Sequence, residues 1–147
     1  MKDFLKITSV LLIISAVVSF IVVAIAGVTC INVIMARSTA EGAAVLENNG
    51  VTQGMTTYLY ISTAVLFVTS LCKLLGGIFG VKSEKDPGLL NRVLILSLLG
   101  LAGSVFYEVL SYLSSATMSP LSLVMGVAVP IAVIYAALMV KKSFGKR

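Results

Sequence analysis

The chain has 147 residues, of which 59% are hydrophobic and 12% are charged, and its mean hydropathy is +1.08. One core of this size cannot bury so much apolar side chain, so the composition excludes an ordinary soluble domain and predicts that a lipid bilayer surrounds the protein. The formal net charge is +5, from eleven Lys and Arg residues against six Asp and Glu residues.

Four apolar runs are each long enough to cross a hydrocarbon layer of about 30 Å, which takes about 20 helical residues. They cover residues 7–35, 57–81, 93–116 and 121–140. Their length favours helices over barrel strands, which appear in a sequence as short alternating segments. We therefore predict one all-α domain over residues 1–147, an up-down bundle of four transmembrane helices.

The first apolar run also has features of a signal peptide, because Lys2 and Lys6 precede it and residues 24–27 resemble a cleavage site. The apolar stretch nevertheless continues to residue 35, well beyond the roughly 7–15 residues of a signal-peptide core. We expect an uncleaved first helix.

Lys and Arg residues are distributed unevenly between the two sides of the predicted bundle. Arg37 stands alone in the outer loop 36–56, whereas the other side holds both lysines before the first run, the basic connection after residue 81 and the basic tail 141–147. Since cytoplasmic loops of membrane proteins carry the excess of Lys and Arg, we expect both termini in the cytoplasm. We interpret the tail as a membrane anchor, with binding to anionic lipid headgroups as the alternative.

The outer loop 36–56 contains the signals of a short surface helix. Ser38 fits the N-cap of a capping box in which Glu41 reaches back to the cap, and Asn-Asn-Gly at residues 48–50 is a typical stop. Further along, Ser119 and Pro120 fit the N-cap and first position of the last helix. The connection before them is short, so the last two long helices should be antiparallel neighbours.

Two charged residues, Lys73 and Glu108, lie within the second and third apolar runs. At helical spacing each shares a face with small and hydroxyl side chains, which form helix interfaces in lipid. Both charges should therefore point into the bundle. The supporting polar stripe comprises Ser62, Thr69, Ser97, Ser104, Ser111 and Ser115.

Three interpretations of the intramembrane charged pair Lys73 and Glu108 stay open. The pair is a buried ion pair that fixes helix register, or a protonatable pair that lines a polar pathway, which is the usual role of charge inside a membrane. In the third, Lys73 extends toward the cytoplasmic headgroups. Side chains lean toward the N-terminus of their own helix, so on antiparallel helices these two lean toward each other. We predict that they interact, directly or through one water.

Small residues also recur at four-residue intervals, a pattern that predicts close helix packing. The helix-packing positions are Gly76, Gly80, Ala128, Ala132 and Ala136. Pro130 has no N–H to donate to the carbonyl of Gly126, and a kink of the last helix is expected there.

Several classes of protein are excluded by missing residues. The chain contains no His, which removes the commonest general base and metal ligand, and with them Ser-His and Cys-His catalysis. Cys30 and Cys72 form no CxxC motif and lie at different predicted depths, so we interpret both as packing residues. No phosphate-binding glycine loop, metal-ligand cluster or nucleic-acid module is present. We expect no enzyme activity, cofactor, metal or nucleic-acid partner.

A resemblance is carried by three stretches: MKDFLKITSVLLIIS, KDPGLLNRVLILSLLG, and MVKKS at the end of the proline-containing last helix. This combination resembles uncharacterised small four-helix integral membrane proteins of Gram-positive bacteria. The resemblance implies a multi-pass protein of the plasma membrane and no particular activity. We expect a non-enzymatic membrane component, either an accessory subunit of an unidentified membrane protein or a homo-oligomer. The alternative is a small transporter or channel that uses Lys73 and Glu108.

Overall fold

A computed structural model describes residues 2–83, 85–115 and 120–144, except for the side chains of residues 114 and 115. Within these ranges the chain forms helices and no strand. The helices are α1 (Lys2–Arg37), α2 (Ala40–Asn48), α3 (Gln53–Lys82), α4 (Leu90–Ser115) and α5 (Pro120–Phe144), with a 3₁₀ turn at Pro87–Leu89 before α4. The predicted cap at Ser119, the end of the third run at Ala116 and tail residues 145–147 lie outside the described residues.

Four helices, α1, α3, α4 and α5, are long and apolar enough to cross a membrane, judged by length and composition. Each is longer than the apolar run that predicted it. Hydropathy marks only the apolar middle of a helix, whereas the backbone hydrogen bonds continue through its polar ends. At α3, for example, the Thr52 hydroxyl accepts the N–H of Met55 at 3.3 Å, so the helix begins at Gln53 and not at residue 57.

The predicted outer loop 36–56 is mostly helical, since α2 fills its middle. The N-cap of α2 is Thr39, whose hydroxyl accepts the N–H of Gly42 at 3.1 Å, so the prediction of Ser38 is wrong by one residue. Because α1 continues to Arg37, the Ser38 hydroxyl instead donates to the Met35 carbonyl of that helix at 2.6 Å.

The other end of α2 and its connection to α3 follow the predicted stop signal. Gly50 adopts a positive φ of 77°, a conformation that costs glycine little because it has no Cβ. Arg37 at the end of α1 donates a hydrogen bond to the Val51 carbonyl at 3.2 Å. This bond ties the α2–α3 connection to the end of α1.

The four long helices form a ring of antiparallel neighbours. α1 and α4 each pack against both α3 and α5, so α3 and α5 lie diagonally across the bundle. Cys30 of α1 contacts Thr63 of α3 at 3.6 Å, and the Lys2 ammonium lies 4.9 Å from the centre of the Phe144 ring. The start of α1 and the end of α5 thus share one end of the bundle, called here the terminal end. The opposite end, beside α2, is the α2 end.

The apolar core occupies the half of the bundle next to the terminal end. Its buried members are Leu5, Leu12, Leu90, Val93, Val133, Ala136, Ala137 and Val140. Glycines bring α3 close to α1 in this half: a Cβ added to Gly80 would lie 2.1 Å from the Ser9 hydroxyl oxygen. Gly76 is also buried, against Leu12 and Ser97. Both glycines of the GxxxG pattern are therefore used inside the bundle.

The alanine pattern of α5 is shared between the interior and the surface. Ala136 is buried, Ala132 is half-buried and Ala128 is exposed. A four-residue step exceeds the 3.6 residues of a helical turn, so the stripe moves around the helix and only its last member reaches the core.

α5 contains a π-helical segment, Val124–Ala128, just before Pro130. The N–H of Val129 bonds to the carbonyl of Val124, five residues earlier. In this register the backbone partner of the Met125 carbonyl would be Pro130, which has no N–H. Ser15 of α1 donates to that carbonyl instead, at 2.8 Å. The carbonyl bonded from outside the helix is therefore that of Met125, one residue before the predicted Gly126.

Candidate functional site

A cavity of about 500 Å³ lies between the four long helices. α1 lines it from Ser15 onward, α4 from Ser104 onward, and α5 up to Gly126. All these residues are on the α2 side of the apolar core. The core therefore lies between the cavity and the terminal end. Polar side chains on its wall include Ser15, Ser19, Lys73, Ser104, Tyr107, Glu108, Ser111 and Ser122.

Lys73 of α3 lies at the part of the cavity nearest the apolar core. It is only 3% exposed and packs beside Gly100 of α4, where an added Cβ would be 3.1 Å from the Lys73 Cγ. Within the described part of the chain, the ammonium has no hydrogen-bond acceptor. Burial of a cation without an acceptor is unfavourable, and the open space beside this ammonium is the cavity.

Glu108 of α4 lies on the cavity wall nearer the α2 end and is 5% exposed. Its carboxylate accepts a hydrogen bond from the Ser122 hydroxyl of α5. Gly100 is level with Lys73, and the eight residues from there to Glu108 correspond to an axial rise of about 12 Å. Along the bundle axis, Glu108 therefore lies nearer the α2 end than Lys73 does.

The two charges attract each other electrostatically but do not touch. No Lys–Glu ion pair with a nitrogen–oxygen distance of 4.0 Å or less occurs among the described residues. On antiparallel helices, the general lean of side chains toward the N-terminus of their own helix directs Lys73 and Glu108 toward each other, and both side chains line the same cavity. The structure thus places both charges inside the bundle without a direct ion pair.

The predicted polar stripe divides between the cavity and the helix contacts. Ser104 and Ser111 line the cavity. Ser62 and Thr69 are buried elsewhere along α3, with Thr69 against Gly103. Ser97 is buried nearer the terminal end, and its hydroxyl has no partner in the ranges that the structure describes. The side chain of Ser115 lies outside those ranges.

Three serine hydroxyls on the cavity wall, those of Ser15, Ser19 and Ser104, donate to backbone carbonyls. Ser104 donates to the Gly100 carbonyl at 2.9 Å, and Ser19 donates to the Ser15 carbonyl at 2.9 Å. Each hydroxyl has one proton and two lone pairs, so a serine that donates to the backbone retains acceptor capacity. Ser104 lies about one helical turn from Glu108 on α4, so its hydroxyl oxygen adds acceptor capacity to this part of the wall.

Sequence reasoning missed Ser122 and Tyr107, which have no charge and belong to no repeated pattern. The short connection between residues 115 and 120 makes α4 and α5 neighbours, but it does not fix which of their residues face each other. The contact between Glu108 and Ser122 depends on how the two helices are shifted along each other.

No group of three or more His, Cys, Asp or Glu residues that could hold a metal ion occurs within residues 2–83, 85–115 and 120–144. Cys30 and Cys72 are free thiols. Comparison of the chain with protein-family models, with curated proteins and with solved structures gives no match.

Proposed function

We propose that this chain is a small multi-pass membrane protein that binds a polar solute or ion in its central cavity, as a transporter or channel does. The observation that carries the proposal is the position of Lys73 and Glu108, both more than nine-tenths buried, on the wall of one cavity. Its volume of about 500 Å³ falls within the roughly 300–1,000 Å³ of small-molecule sites.

The separation of the two charges favours binding over a purely structural role. Attraction between opposite charges rises steeply as they approach in a medium of low dielectric constant, so an ion pair that only fixed helix register should be in contact. Charged residues inside a membrane commonly mark the route of a substrate or ion. The alternative of a homo-oligomer built through glycine faces is weakened, because Gly76 and Gly80 already pack inside the bundle.

The proposed setting is the plasma membrane, with the terminal end in the cytoplasm and the α2 end outside, as the distribution of Lys and Arg favours. In that orientation the cavity belongs to the outer half of the bundle, and the apolar core separates it from the cytoplasm. The π-helical segment before Pro130 is a natural hinge, since such segments weaken the regular helix and often occur at functional sites. Movement there would carry Ser122 relative to the rest of α5.

Cysteine labelling tests whether the cavity is hydrated and open to the outside. Ser19 is half-buried on the cavity wall, so Ser19→Cys is introduced into a chain with Cys30→Ala and Cys72→Ala. Intact cells are treated with a charged, membrane-impermeant methanethiosulfonate. We expect labelling of Ser19→Cys, because a charged reagent reaches it only through water.

Ser97→Cys is the matched control, since Ser97 is fully buried on α4 outside the cavity. It should stay unlabelled in the same background. Absence of labelling at Ser19→Cys in intact cells, with labelling by a membrane-permeant reagent, would show that the cavity is closed to water from outside and would overturn the proposed function.

A further inference from the structure

We propose that the solute is a small zwitterion, with an ammonium group and a carboxylate group on an apolar body, as in an apolar amino acid. This inference rests on the proposed function and names the class of solute that the cavity binds. The solute's carboxylate pairs with Lys73, and its ammonium pairs with Glu108.

The floor of the cavity is suited to a carboxylate. Lys73 is 97% buried, lines the cavity and has three N–H donors, but none of the described residues accepts from it. A carboxylate there would form charge-assisted hydrogen bonds with this ammonium. Among the residues that the structure describes, no other Lys or Arg lines the cavity, so a single negative charge fits this position better than a multiply charged phosphate group does.

The wall nearer the α2 end is suited to an ammonium. An ionised carboxylate has about four acceptor sites, and the Ser122 hydroxyl occupies one site of Glu108. The Ser104 hydroxyl lies on the same wall and directs its proton to its own helix, so its lone pairs can accept. Three N–H donors of a ligand ammonium would find carboxylate and hydroxyl acceptors there.

The combination of the two sites selects a zwitterion over a simple ion. The charges of Lys73 and Glu108 sum to zero, but the Lys73 ammonium nitrogen is more than 4.0 Å from the carboxylate oxygens of Glu108. A zwitterion between them pairs both charges and brings no net charge into the membrane, whereas a simple cation or anion pairs with one and leaves the other unpaired. Val18, Leu66, Leu121 and Met125 supply apolar wall for the body of the solute.

Three probes of matched shape separate these possibilities: leucine, 3-methylbutylamine, which lacks the carboxylate, and 4-methylpentanoate, which lacks the amine. Binding to the purified full chain in lipid nanodiscs is measured by equilibrium dialysis. We expect leucine to bind at least tenfold more tightly than either single-charge probe.

The variants should give a crossed pattern that general damage to the fold would not produce. Lys73→Met should weaken the binding of leucine and of 4-methylpentanoate at least tenfold and leave the affinity for 3-methylbutylamine unchanged. Glu108→Gln should weaken the binding of leucine and of 3-methylbutylamine and leave the affinity for 4-methylpentanoate unchanged. Lys82→Met replaces an exposed lysine at the end of the same helix, outside the cavity, and should leave all three affinities unchanged.

Each contrary outcome overturns the inference in a distinguishable way. If the amine binds as tightly as leucine, the cavity is a cation site, and if the carboxylate does, it is an anion site. If no probe binds while Ser19→Cys is labelled in intact cells, the zwitterion is wrong and the hydrated cavity stands. If Ser19→Cys is not labelled, the proposed function itself fails.

Discussion

Replacing Gly80 by Ala would place a methyl group in the closest contact between α1 and α3. The added Cβ would lie 2.1 Å from the Oγ of Ser9 and 2.8 Å from its Cβ. Rotation of the hydroxyl relieves the first contact but not the second, since the Cβ is fixed to the backbone of α1. The two helices must therefore move apart.

The size of the effect follows from these distances. Carbon atoms pack at about 3.5–4.0 Å, so the helices would separate by about 1 Å at this point. Overpacking of this kind typically costs about 1–3 kcal/mol. The higher helix propensity of Ala relative to Gly stabilises the folded helix by about 0.5–1 kcal/mol and offsets part of this cost. We expect Gly80→Ala to lower the free energy of unfolding by about 0.5–2 kcal/mol.

Unfolding by SDS in mixed micelles, followed by circular dichroism, measures this change. Gly27→Ala in α1 is the matched control, because an added Cβ there meets nothing within 4 Å. It should leave stability unchanged or raise it by up to about 1 kcal/mol. Ser9→Gly in the Gly80→Ala background removes both contacting atoms, so the double variant should lose less stability than the sum of the losses of the two single variants. If Gly80→Ala is as stable as Gly27→Ala, the close approach of α1 and α3 is refuted.

Two further predictions use the same unfolding assay. Ser15→Ala leaves the Met125 carbonyl without its donor and should cost about 1–3 kcal/mol, whereas Ser19→Ala, which removes only a bond within α1, should cost less than about 0.5 kcal/mol. Equal losses of stability in the two variants would mean that the hydrogen bond from Ser15 to α5 contributes nothing to the free energy of unfolding. For Lys73→Met, Glu108→Gln and the double variant, we expect a coupling energy of about 1–2 kcal/mol, since the charges attract across a gap. A coupling of 3 kcal/mol or more would indicate a direct ion pair, for which breaking typically costs about 3–5 kcal/mol, and additive losses would indicate no interaction.

The four long helices and the small helix α2 could be predicted from local sequence patterns. Apolar length, helical period, the Asn-Asn-Gly stop and the proline of α5 are local properties, and each acts through the few residues around it. Helix ends were less well determined, as Ser38 shows. Whether Ser38 or Thr39 caps α2 depends on how far α1 continues, and hydropathy does not measure that distance.

The contents of the bundle interior could not be predicted from such local patterns. The position of each helix along its neighbour determines the shape of the cavity and the gap between Lys73 and Glu108. It also determines the hydrogen bond from Ser122 to Glu108 and the bond from Ser15 to the Met125 carbonyl in the π-helical segment. That position is set by packing between residues far apart in the chain, such as Gly80 against Ser9. A displacement of one helical turn, about 5.4 Å, would leave every sequence pattern intact and would rearrange the entire wall of the cavity.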